Sequence, residues 1–246
     1  MKIVTSNVYK NEKGIFISHK GLNGLFFSSD MELSRLETVG MFPNLSNDEA
    51  WNLISIIHHK GRLYFFSAYS YEAWKLTDDK QLEKIEYSSE RKKVVLKAVI
   101  KYEDYAWVFP LYFSQNIVKV NLNTWETESV SWHDKRYLHM DEMSFSEFRK
   151  IDNTLFFANR VPDNVGYFRM NLDSLELNFT YLDNYNSVSS ILPEDKFIWV
   201  LGRKKDGMTT LVKYDYFGRA IKEYIIGSEI IELNETRVTY QHIIKI

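Results

Sequence analysis

Asn153-Thr154-Leu155-Phe156-Phe157-Ala158-Asn159-Arg160 is an apolar, aromatic run of strand length, entered from polar turn residues and left into polar ones. Three further stretches line up with it: Gly61-Arg62-Leu63-Tyr64-Phe65-Phe66-Ser67-Ala68, Asp104-Tyr105-Ala106-Trp107-Val108-Phe109-Pro110-Leu111 and Lys196-Phe197-Ile198-Trp199-Val200-Leu201-Gly202-Arg203. Tyr64, Trp107, Phe156 and Trp199 then share one position, at separations of about 43, 49 and 43 residues, a period within the range of four-stranded repeats. A weaker copy, Gly14-Ile15-Phe16-Ile17-Ser18, precedes Gly61 by about 47 residues.

Working outward, each aromatic strand has aligned companions. Ala73-Trp74-Lys75-Leu76-Thr77, Ile117-Val118-Lys119-Val120-Asn121, Tyr167-Phe168-Arg169-Met170-Asn171 and Leu211-Val212-Lys213-Tyr214-Asp215 follow it. A polar alternating strand comes next, at 82–87, 125–132, 175–181 and 220–226. A fourth strand precedes the aromatic one, at 53–58, 94–102, 145–151 and 188–192. The most apolar strand stands second and the most polar last. That order suits sheets whose inner strands are covered on both faces while the outermost meets water. Composition agrees, with 16 Tyr, 16 Phe and 6 Trp, residues that favour a pleated, half-buried surface.

The unit resembles a kelch-type β-propeller repeat, in which an apolar-aromatic strand is followed by one with a Tyr-Asp-like end and then by a Trp near the outer strand. Tyr214-Asp215 and Asn123-Thr124-Trp125 carry the resemblance. The glycine pair of that repeat is replaced by Ser67-Ala68, Pro110-Leu111, Asn159-Arg160 and Gly202-Arg203. The resemblance implies an all-β, single-domain β-propeller of four-stranded antiparallel blades. The units fall at about 1–40, 50–88, 94–132, 145–182, 187–227 and 228–246, giving six blades with an incomplete last one. Five blades with a C-terminal hairpin is the alternative.

Several function classes are excluded or disfavoured by composition. The net charge of -2 argues against a nucleic-acid or anionic-membrane binder relying on bulk charge. The absence of cysteine removes disulfides, thiolate metal sites and cysteine nucleophiles. The polar start Met1-Lys2-Ile3-Val4-Thr5-Ser6-Asn7 is no secretory signal. No apolar run approaches the roughly 18 residues of a membrane span. A cytoplasmic protein without nucleic-acid or membrane partners is the expectation. Nucleophile elbow, phosphate loop, dinucleotide fingerprint and zinc-protease motifs are all missing, and no cofactor or metal is expected.

The loops after the aromatic strands, with those between units, are expected on one rim. They bring Tyr69, Tyr112, Arg160 and Arg203 together with Trp132, His133, Arg136 and His139 of the long 132–142 connection. Aromatic rings and planar cations on rigid loops suit a protein, peptide or carbohydrate ligand. His133 and His139 beside Asp134 and Asp141 also have metal or acid–base chemistry open to them, although their spacing does not demand it. A non-catalytic binding or scaffold protein is the first reading. The alternative is a hydrolase or lyase of carbohydrate or peptide, with Glu103, Asp104, Asp152, Glu194 and Asp195 as carboxylates in the opposite turns.

Three smaller expectations complete the reading. His58-His59 is expected as a solvated turn. Lys75, Lys119, Arg169 and Lys213 recur at one position, with their stems packed and their heads reaching water; a column lining an anionic groove is the other reading. Val238 to Ile246 reads as one apolar edge strand, which a second copy, a partner strand or N-terminal residues would cover.

Overall fold

The computed structural model describes residues 5–11, 14–19, 24–29, 35, 37–41, 53–67, 70–78, 82–87, 95–112, 115–132, 145–159, 164–226, 231–233, 236–238 and 243–245. The described residues form strands joined by turns. The first sheet holds β1 (Thr5–Asn11), β2 (Gly14–His19), β3 (Gly24–Ser28) and β4 (Glu37–Met41). The second holds β5 (Leu53–His59), β6 (Arg62–Ser67), β7 (Glu72–Leu76) and β8 (Leu82–Glu86). The third holds β9 (Leu96–Tyr102), β10 (Tyr105–Pro110), β11 (Ile117–Asn121) and β12 (Thr127–Val130). The fourth holds β13 (Phe145–Ile151), β14 (Thr154–Asn159), β15 (Gly166–Asn171) and β16 (Leu177–Tyr181). The fifth holds β17 (Tyr185–Pro193), β18 (Phe197–Lys204), β19 (Thr209–Asp215) and β20 (Ala220–Ile225). A three-stranded sheet follows, of β21 (Ile231–Leu233), β22 (Thr236–Val238) and β23 (Ile243–Lys245). Strands within each sheet follow chain order.

The aromatic positions aligned in the sequence also align in the register. Tyr64 pairs with Lys75, Trp107 with Lys119, Phe156 with Arg169 and Trp199 with Lys213. The second strands are the most buried: Phe65, Phe66, Phe109, Phe156 and Phe157 are sealed from solvent. The outer strands β8 and β20 are largely exposed. Covering both faces of a strand favours a continuous apolar run, whereas an edge facing water takes charge.

Contacts group the strands into two compact units. One comprises Met1–Pro110 and Ile117–Val130, the other Leu111–Asn116 and Ser131–Ile246. In the first, Tyr64, Phe66, Ala73 and Tyr87 of the second sheet pack on Leu96, Val99, Val108 and Val120 of the third. In the second unit, Phe156, Ala158 and Tyr167 of the fourth sheet pack on Val188, Ile191, Ile198, Val200 and Tyr214 of the fifth. Burial at about 25 cal/mol per Å² of apolar surface makes these interfaces the main stabilising contacts.

Tight hairpins join the first and second strands. Lys60 (φ 48°) and Gly61 (φ 78°) turn the second sheet, Glu103 (φ 52°) the third and Asp152 (φ 48°) the fourth. At Lys60–Gly61 two successive left-handed residues match the strand twist, and glycine enters that region without steric cost.

The Val238 to Ile246 run is not one strand. Thr236, Arg237 and Val238 pair with Lys245, Ile244 and Ile243, and β22 also pairs with β21. β22 therefore lies inside the three-stranded sheet, and Ile243–Lys245 of the run forms its edge strand β23. The capping-box stretch 46–49 lies outside the described residues.

Candidate functional site

The turns at one end of the fourth and fifth sheets enclose a cavity of about 360 Å³. Its walls are Ile151, Asp152, Asn153 and Thr154 from the β13–β14 hairpin, Phe156 and Arg169 from the strands behind it, and Asn171, Glu176 and Asn178 around the β15–β16 turn. Asp195 and Tyr216 close it from the fifth sheet.

The walls are held by local bonds. Asn171 folds its turn by accepting the amides of Asp173 and Ser174 at its Oδ1, both at 2.9 Å. This is an Asx turn, in which a side-chain carbonyl takes the place of a backbone one. Asn153 Nδ2 donates to Asp173 Oδ2 at 2.7 Å, tying the two turns of the fourth sheet together. Asn178 Nδ2 donates to Glu176 Oε1 at 3.0 Å. Tyr216 packs its ring on Phe156 with centroids 5.3 Å apart, and its hydroxyl donates to the Glu194 carbonyl. Burial, with the charge of Asp195 adding to it, raises the Tyr216 phenol above its ordinary range, so it remains a neutral donor.

Arg169 differs from the other cations of its column. Lys75 meets Glu83 at 2.8 Å, Lys119 meets Glu128 at 3.8 Å and Lys213 meets Glu194 at 3.9 Å. These lysines are about one quarter exposed, and Lys119 and Lys213 lie over the Tyr105 and Phe197 rings at 4.2 and 4.1 Å. Their stems pack and their heads reach the surface, as expected of snorkelling. Arg169 faces Asn178 across the strands, where Lys75 and Lys119 face Glu83 and Glu128. Among the described residues its one ring partner is Tyr216 at 5.6 Å, and it makes no hydrogen bond or ion pair. Asp152 and Asp195 are exposed, and their carboxylates are likewise without a bonded partner.

Of the rim read from the sequence, Tyr112, Trp132 and Arg203 are among the described residues. Tyr112 is half exposed just beyond β10. Arg203 is exposed near the end of β18, and its Nε donates to the Gly207 carbonyl at 3.3 Å. Trp132 is buried. Its Nε1 donates to the Gln115 carbonyl at 2.7 Å and its ring packs on Phe157 at 5.9 Å, so it is engaged in packing. Tyr69, Arg160, His133, Arg136 and His139 lie outside the described residues. No trio of histidines and carboxylates among the described residues is placed to hold a metal ion.

His59 departs from the expected solvated turn. It is 4% exposed, and its Nε2 lies 3.0 Å from Asn123 Oδ1. Lys60 Nζ donates to the same oxygen at 2.6 Å, and Asn123 Nδ2 donates to Asp104 Oδ2 at 3.1 Å. These bonds join the second and third sheets. Trp125, read from the sequence as the head of an outer strand, is a turn residue with φ 64°. Its ring stands 5.2 Å from Tyr64 and 6.2 Å from Phe66.

No family model matches the chain, and no curated protein sequence does. Solved structures do. Selenomethionine-substituted virginiamycin B lyase from Staphylococcus aureus is similar at 14% identity over 94% of this chain and 74% of that one, with a TM-score of 0.63. A catalytically inactive variant of that enzyme with quinupristin matches at 11% identity over 89% and 69%, with a TM-score of 0.60. Apo AztD from Citrobacter koseri matches at 8% identity over 89% and 72%, with a TM-score of 0.57. The fold is a β-propeller. Each four-stranded sheet is a blade, and the cavity lies where blades four and five meet. Identities this low speak to the fold alone, and propellers host unrelated functions.

The sequence does contain signals for this site. Asp152 and Asp195 were among the turn carboxylates, and Arg169 stood in the recurring column. Across from the cation stand Glu83 and Glu128 in two blades, Asn178 at Arg169 and Lys222 at Lys213, so two of the four cations lack a cross-strand carboxylate, and Lys213 meets Glu194 instead.

Proposed function

We propose that the chain is a non-catalytic binding protein of kelch-like propeller build. Its ligand is a peptide, an exposed protein segment or a carbohydrate, and it engages the cavity between blades four and five. The carrying observation is a polar cavity on hydrogen-bonded turns that presents a guanidinium and two carboxylates with no bonded partner among the described residues. Pockets of about 300–1,000 Å³ with a few convergent polar groups are the usual form of a ligand site. Exposed Tyr112 and Arg203 give the opposite blade ends a second contact surface in this reading.

The second reading, a hydrolase or lyase, draws on the three carboxylates of the wall, Asp152, Glu176 and Asp195. A general acid at neutral pH needs a desolvated carboxyl group. All three are exposed, which favours binding over proton transfer. The test is a thermal-shift screen of peptides and saccharides against the wild type and Thr154→Trp, whose indole would fill the cavity. Stabilisation by a ligand in the wild type alone supports the reading. Equal stabilisation of both proteins places binding elsewhere and overturns it. Conversion of a screened compound that ceases in Asp152→Asn or Asp195→Asn would make the protein an enzyme.

A further inference from the structure

The cavity holds groups of both signs, and they are not bonded to one another. Arg169 emerges from the middle of β15, with its guanidinium over the Tyr216 ring at 5.6 Å. A guanidinium presents its N–H donors as a planar fork, which suits a bidentate carboxylate. The amides nearby are engaged: Asn171 closes its Asx turn, Asn153 holds Asp173 and Asn178 holds Glu176. What remains for a ligand, among the described residues of the wall, is the guanidinium of Arg169 and the carboxylates of Asp152 and Asp195.

Three carboxylates against one guanidinium disfavour an anion that brings no positive charge. A neutral sugar would leave Arg169 without a counter-charge in a partly desolvated position. A cation alone would do the same. A small molecule with both a carboxylate and an ammonium group answers both needs at once. Resting on the binding reading above, we infer that the cavity takes a zwitterion of the amino-acid class, its carboxylate on Arg169 and its ammonium on Asp152 and Asp195. A basic amino acid such as lysine, with one net positive charge, is the best match to the excess of carboxylate.

Calorimetric titration of the full chain tests this with probes that each delete one charge: L-lysine, L-lysinamide, Nα,Nε-diacetyl-L-lysine, sodium glucuronate and glucose. Lysine is expected to bind, with lysinamide and the diacetyl compound each weaker by at least about tenfold, the scale of one lost charge-assisted contact. Arg169→Gln is expected to bring lysine down to the affinity of lysinamide. Asp152→Asn with Asp195→Asn is expected to bring it down to that of the diacetyl compound. Lys119→Gln, in the same column of another blade, is expected to bind as wild type does. Melting temperature checks that each variant is folded. Equal binding of lysine and lysinamide, or an undiminished affinity in Arg169→Gln, overturns the carboxylate assignment. Preference for glucuronate over lysine makes the ligand a sugar acid and overturns the class. Absence of lysine binding overturns the inference too. If the Thr154→Trp screen still finds a cavity-dependent ligand, the binding reading stands without it.

Discussion

Between the second and third blades, the turn after β11 carries Trp125 back onto Tyr64, Phe66 and Tyr87. Six residues separate the paired positions Val120 and Thr127, room enough for a residue with φ 64° to reverse direction. Between the fourth and fifth blades only five residues separate Tyr214 from Ala220, and no tryptophan is among them. Tyr216 packs on Phe156 instead, and the cavity remains beside it. The residue that ends the first strand differs as well: His59 bonds across to the third blade, whereas Ile151 lines the cavity. One blade design thus makes a filled junction or an open one through the length and chemistry of two turns.

The largest effect is expected from Trp125→Ala. Removing a large aromatic wedge costs about 3 kcal/mol, at the low end for Trp because the ring is partly exposed. Tyr216→Ala, on the open side, is expected to cost about 1–2 kcal/mol, since fewer neighbours lose contact. Urea unfolding of both variants measures the difference. Equal losses would mean that the two junctions are packed alike.

His59→Ile writes the residue of the open junction into the filled one. It removes a bond to Asn123 Oδ1, which Lys60 still serves, and is expected to cost about 1 kcal/mol. A gain in stability would show that the polar bridge is not what holds these blades together.

A smaller contrast concerns the cation column. Lys213→Met loses a contact with Glu194 and two ring contacts, and is expected to cost about 0.5–1 kcal/mol. Arg169→Met loses one ring contact and, among the described residues, no ion pair, and is expected to stay within about 0.5 kcal/mol of wild type. Thermal melts of the ligand-free variants check this. A larger loss at Arg169 would mark it as a structural residue.

The smallest effect at neutral pH is expected at the paired turns themselves. Asn121 and Asp215 play the same part, each accepting backbone amides at its Oδ1. The amide of Arg219, helped by its side chain and the amide of Phe217, holds the Asp215 carboxyl below its usual value of 3.8. A lowered native pKa stabilises the fold above the unfolded value, and that stabilisation is lost as pH falls through the native one. Asp215→Asn, which copies Asn121, is therefore expected to flatten stability against pH below about pH 4. Denaturant midpoints at pH 3, 4 and 7 measure it. An unchanged acid slope would place the acid sensitivity at other carboxylates.

The blade repeat was legible because strand alternation and the aromatic position recur at nearly fixed spacing. The alignment of Tyr64, Trp107, Phe156 and Trp199 became the register against Lys75, Lys119, Arg169 and Lys213. Period-2 patterning and burial on both faces are local properties, and they survive without knowledge of which strands meet. The folded-back β22 and β23 escaped because an apolar run has no internal mark of where it reverses. His59 escaped because a polar residue beside a turn looks solvated until the neighbouring blade supplies Asn123. The junction of blades four and five was equally hidden. Whether a cation is paired depends on the residue set across from it by register, and whether a turn fills or leaves a gap depends on its neighbour's shape. The sequence determined the repeat, the strand order and the buried aromatic strands, because each rests on contacts near in the chain. Only the tertiary structure decided that Arg169 would stand beside Asp152 and Asp195 with no bonded partner among the described residues, because those groups come from a strand and two turns that meet only when two blades pack.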